Sequence, residues 1–106
     1  MKKIMLFLLA VFPATCFAGE WSGWGTIEQI YPYPDRNIIY IRHSVAINPD
    51  SCSSTSYYAL PKSNTMFSEV YSLLLAGHSA KKQMNVYING CEGSYPKLAM
   101  AISKNE

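Results

Sequence analysis

Apolar and polar residues alternate along most of this chain, and once the period changes. Thr26 to Tyr31 alternates and reads as a first strand, after a Gly-rich, aromatic lead-in from Gly19 to Gly25. Tyr31-Pro32-Tyr33-Pro34-Asp35-Arg36-Asn37 breaks it, because two prolines with an Asp and an Asn are turn chemistry. Asn37 to Val45 predicts the clearest strand, with Ile39, Ile41, His43 and Val45 on one face and Ile38 and Tyr40 on the other. Thr55 to Leu60 is a short third strand stopped by Pro61. From Met66 onward, Phe67, Val70, Tyr71 and Leu74 recur at helical spacing. Asn64 or Thr65 is placed to cap that helix, and Gly77 to end it. Gln83 to Asn89 predicts a fourth strand with Met84, Val86 and Ile88 together. Lys97 to Ser103 predicts a fifth, with Leu98, Met100 and Ile102 opposed to Ala99 and Ala101. The segment from Asn89 to Pro96 between them reads as a loop.

The predicted class is mainly β with one helix (α+β), in the order β-β-β-α-β-β. That order is the connectivity of a five-stranded OB-like barrel, a small, partly open Greek-key architecture. The competing arrangement is an α+β sandwich with the helix packed on an open sheet.

The first eighteen residues change the picture of the whole chain. Lys2 and Lys3, the apolar run from Ile4 to Phe12 and the small-x-small site Cys16-Phe17-Ala18 form a signal-peptide pattern. The apolar run is shorter than the roughly 20 residues of a membrane span, and Pro13 stands where a lipobox needs a Leu-like residue. Export through the Sec pathway to the periplasm or beyond is therefore expected, leaving residues 19–106 as one small OB-like domain. Removing Lys2 and Lys3 takes the nine Lys+Arg to seven, against seven Asp+Glu, so the mature domain is formally neutral. Without a basic stripe it lacks the electrostatic footprint of a nucleic-acid partner.

Only Cys52 and Cys91 remain after the leader, and in an exported chain the simplest role for two cysteines is one disulfide. Closing that loop contributes about 4 kcal/mol in the chain-entropy model, which matters for so small a core. There is no C-x-x-C, and a metal site would need further ligands from His43, His78 or Met84. In the OB topology strands three and five run side by side and parallel, which brings Cys52 and Cys91 together.

OB barrels present ligands to the face of strands two and three and to the loops joining strands one–two and four–five. Here those loops carry Tyr31, Tyr33, Asp35 and Arg36, and Ser94 and Tyr95. Rigid tyrosine faces beside small polar groups suit the apolar face and hydroxyl rim of a sugar. Catalytic patterns are missing: there is no Gly-x-Ser-x-Gly, His-Glu-x-x-His or Walker loop. Neither enzyme activity nor a cofactor is expected.

The stretch MFSEVYSLLLAGHSAKKQMNVYINGCEGSYPKLAMAIS, with the Glu20-Trp21-Ser22-Gly23 start, resembles the B subunits of subtilase-cytotoxin-type AB5 toxins. The resemblance covers about half of the mature chain. It implies an OB barrel without catalytic activity that binds glycans and assembles as a homo-oligomeric ring. This chain is shorter, lacks the family's C-terminal cysteine pair and places its bridge differently, and no sugar-binding serine carries over. The alternative expectation is a non-catalytic structural or inhibitory partner of another exported protein, docking through aromatics such as Trp21, Trp24 and Tyr40.

Overall fold

The computed structural model describes residues 19–104; the leader expected over residues 1–18 lies outside them. The described chain is mainly β with one helix and a Cys52–Cys91 disulfide. Its strands are β1 (Glu20–Trp21), β2 (Gly25–Tyr33), β3 (Ile38–His43), β4 (Tyr58–Pro61), β5 (Gln83–Glu92) and β6 (Tyr95–Ser103). Helix α1 (Phe67–Ala80) lies between β4 and β5. The expected β-β-β-α-β-β order is thus met by β2 through β6, with β1 added at the edge of β5. Pairing runs β5–β2–β3–β4–β6 and returns from β6 to β5. The contact between β4 and β6 is parallel at Ala59 and Lys97, and all the others are antiparallel.

Inside this circuit lies one apolar core. Ile27, Ile39, Ile41, Leu60, Met84, Val86, Ile88 and Leu98 face inward from the strands, and Val70 and Leu74 close it from α1. Burying such side chains stabilises the fold by about 1.5–3 kcal/mol each.

Several boundaries differ from the sequence pattern. The first strand runs through Pro32 to Tyr33, with Pro32 opposite Ile39. Beyond Thr26, β2 has a strand neighbour on one side only, and such an edge tolerates a residue without an N–H. What remains of the expected loop is a 3-10 turn at Pro34–Arg36, closed by Asn37 in the left-handed region at φ 55°. The expected Asn89–Pro96 loop is mostly hairpin, with Cys91 opposite Pro96, Glu92 opposite Tyr95, and a tight turn at Gly93 and Ser94. Gly93 has φ 62°, which suits glycine.

Gly77 does not end the helix. It is buried inside α1, and a Cβ there would collide with the Met84 side chain. The helix stops four residues later, at Lys81, whose N–H reaches the carbonyls of Gly77 and His78. At the other end Met66 is the N-cap residue, without a side-chain cap. Asn64 accepts the Met66 N–H at 2.8 Å and donates to the Ala99 carbonyl at 3.0 Å.

The fifth predicted strand carries the largest correction. Leu98 faces the core, but Met100 and Ile102 are 47% and 44% exposed. Ile88 pairs with Leu98 and Tyr87 with Met100, so Ala99 is an extra residue in the ladder. That bulge exchanges the two faces of β6, and Ala101 packs inward instead.

Candidate functional site

The outer face of β2, β3 and β4 is where the predicted ligand residues meet. Register fixes the arrangement. Tyr33 lies opposite Ile38 and Ile38 opposite Pro61; Tyr31 lies opposite Tyr40, Tyr40 opposite Ala59, and Ala59 opposite Lys97. Residues directly opposite share a face, so one face collects Tyr31, Tyr33 and Tyr40, with Ala59 buried between the flanking strands. Tyr57 and Tyr95 lean in from beside β4 and from the start of β6.

Five tyrosine rings result, centred on Tyr40. Its ring lies 5.0 Å from Tyr95, 5.7 Å from Tyr57, 5.9 Å from Tyr31 and 6.0 Å from Tyr33, measured between centroids and tilted in every case. Such tilted pairs contribute about 0.5–1.5 kcal/mol each beyond burial. Tyr40 itself is 6% exposed, whereas Tyr31 is 42% exposed and the other three are half-buried. Guanidinium groups flank the rings, Arg36 lying 5.7 Å from the Tyr33 centroid and Arg42 5.1 Å from that of Tyr57.

Two further ties fix the Tyr95 side. The disulfide joins Cys52 of the β3–β4 connection to Cys91 of β5, with Cα atoms 5.8 Å apart. Alongside it, Gly90 donates its N–H to the Asp50 carboxylate at 2.7 Å, and Ser54 donates its own to the Ser94 carbonyl at 2.9 Å. The segment ending at Tyr57 is thereby laced to the hairpin that carries Tyr95.

Of the residues picked from sequence, Tyr31, Tyr33 and Tyr95 enter the cluster and Arg36 flanks it. Asp35 is exposed on the 3-10 turn and Ser94 is exposed at the hairpin tip, where its backbone rather than its hydroxyl makes the contact to Ser54. Sequence reasoning missed Tyr57 and Arg42 and assigned Tyr40 to an exposed docking surface; its burial corrects that. The signal was present in the period-two spacing, which puts Tyr31 and Tyr33 on one face of β2 and Tyr40 on one face of β3. Only the register shows that these are the same face.

The histidines have structural partners. The Val45 N–H can only donate, so His43 Nδ1 accepts it at 3.0 Å and Nε2 carries the proton to the Met84 carbonyl at 3.0 Å. His78 Nδ1 donates to the Ile27 carbonyl at 2.9 Å, tying α1 to β2. Among the described residues no group of three or more His, Cys, Asp or Glu converges as metal ligands. Nor is any described helix long and apolar enough to cross a membrane.

Compared with protein-family models, with curated proteins and with solved structures, the chain has no match.

Proposed function

We propose that this domain is an exported OB-like barrel that binds glycans, without catalysis, on the tyrosine face of β2, β3 and β4. The closed circuit of pairings and the parallel β4–β6 contact support the barrel. One observation carries the ligand class: five mutually packed tyrosines, four of them partly open to solvent, share a face with two flanking guanidiniums. Apolar contact area held rigid costs little entropy on binding, and the C–H face of a pyranose matches such rings. Phenol and guanidinium groups around the rim meet the sugar hydroxyls.

The test is a glycan array with the domain as purified from the export compartment, followed by titration of whatever is retained. Tyr31→Ala is expected to weaken binding about tenfold, equivalent to about 1.4 kcal/mol, and to lower the melting temperature through its lost ring contacts while leaving the domain folded at the temperature of the titration. An array that retains no glycan sinks the proposal.

A second reading, a non-catalytic partner of another exported protein, is favoured by a different surface. Trp21, Met66, Leu73, Met100 and Ile102 line one apolar groove between α1 and the outer side of β6. Exposed apolar patches of this kind mark interaction sites. Crosslinking in envelope extract, with Met100→Asp as the control, separates this reading from the first. A specific partner lost in the variant supports it, and no partner removes it.

A further inference from the structure

Next to the tyrosine face is an open polar cleft of about 530 Å³, lined by Arg36, Asn37, Pro61, Lys62, Ser63 and Glu92. It is continuous with that face through three of its own residues. Arg36 lies over Tyr33, Pro61 pairs with Ile38 beside Tyr33, and Glu92 pairs with Tyr95 in the hairpin. We propose that this cleft is a second subsite, and that the ligand is a neutral oligosaccharide of at least two units. One unit lies on the tyrosines and its neighbour enters the cleft. This rests on the glycan reading above.

The chemistry of the lining selects the ligand. A carboxylate only accepts hydrogen bonds, while guanidinium and ammonium groups only donate; Asn37 and Ser63 do both. A group that satisfies this set must therefore present donors and acceptors side by side, as adjacent sugar hydroxyls do. An anionic substituent would meet Arg36 and Lys62 favourably but would lie beside the Glu92 carboxylate. A cationic one would meet the reverse. Neutral hydroxyl pairs satisfy all three charged groups without leaving any opposed by a like charge. The cleft also falls within the usual range of about 300–1,000 Å³ for small-ligand sites, so it accommodates a whole unit rather than a substituent.

The experiment titrates each glycan that the array retains, and the fragment one unit shorter, into wild-type protein, Glu92→Gln, Lys62→Met and Tyr31→Ala by calorimetry. Melting curves establish that the variants are folded. In the wild type the longer glycan is expected to bind at least about tenfold more tightly than the shorter one. Glu92→Gln should lose most of that difference and leave the shorter fragment's affinity unchanged. Tyr31→Ala should weaken both. A preference for acid-bearing glycans, or a length step that survives in both Glu92→Gln and Lys62→Met, overturns the second subsite. Retention of single sugars with no gain from a second unit overturns it too, and leaves the tyrosine site standing. If nothing is retained, both proposals fall together.

Discussion

Tyr40 and Tyr58 carry the same side chain to opposite sides of one sheet. Tyr40 points outward, where its ring supports four others. Tyr58 points into the core, where its hydroxyl donates to the Val45 carbonyl at 2.6 Å and accepts the Ile47 N–H at 2.8 Å. Burial raises the Tyr58 pKa above the ordinary value of 10.0, and the bond from Ile47 offsets part of that shift. A tyrosine whose pKa is raised in the folded state contributes stability that is complete below about pH 10 and lost as pH rises through the folded value. Tyr58→Phe leaves the Val45 and Ile47 backbone groups unpaired and is expected to cost about 1–3 kcal/mol at pH 8. In urea titrations the gap between wild type and variant should narrow at pH 11. A constant gap would show that Tyr58 ionises alike in both states. Gly77 gives a second test at this scale. Ala gains about 1 kcal/mol over Gly in a helix, but here the methyl group meets Met84, and overpacking costs roughly 1–3 kcal/mol. Thermal melting of Gly77→Ala should therefore show a lower midpoint, not a higher one.

Strand β6 shows what one extra residue does to an element. Its sequence alternates without interruption, and a regular strand would bury Leu98, Met100 and Ile102 alike. The bulge at Ala99 divides them. Leu98→Ala is expected to cost about 2–5 kcal/mol, while Met100→Ser and Ile102→Ser should each cost about 1 kcal/mol, because about half of each side chain is already exposed. Equal losses at all three positions, measured by denaturant unfolding, would restore the regular strand. The same ladder carries β6 from the Tyr95 ring to the apolar groove through two register shifts, the bulge at Ala99 and one on β5 between Ile88 and Cys91. Helix α1 was legible from its period, but its end was not: Gly77 is a stop signal in sequence and a contact to Met84 in space.

At the scale of the molecule, one covalent bond and one short parallel contact hold distant segments together. The disulfide closes a loop with a sequence separation of 39. Replacing both cysteines by serine should lower stability by about 4 kcal/mol on the chain-entropy model, as read from urea midpoints. The same change loosens the lacing between the Tyr57 segment and the Tyr95 hairpin, leaving its hydrogen bonds at Gly90 and Ser54, so the glycan affinity proposed above should fall even at temperatures where the variant remains folded. Affinity that stays at the wild-type level would limit the bond to a stabilising role. Mass measurement of the protein from the export compartment checks the leader expectation: loss of residues 1–18 and of two hydrogens is the expected result, and the native spectrum gives the number of chains.

The identities of α1 and of the central parts of β2 to β6, the disulfide partners and the residues that share the inward faces of β3 and β5 were determined by the sequence, because period and cysteine count are local or countable properties; β1 and the strand ends at Pro61 and around Cys91 were not. Tyr31, Tyr33 and Tyr95 were also visible there, as aromatics beside prolines. What the tertiary structure decided was everything that depends on register. Pairing Tyr31 with Tyr40, and Ala59 with Lys97, turned separate tyrosines into one surface and brought in Tyr57 and Arg42. The Ala99 bulge reversed half of a strand. A side-chain pattern of period two says which residues share a face of their own strand, but only hydrogen bonding between strands sets which faces coincide.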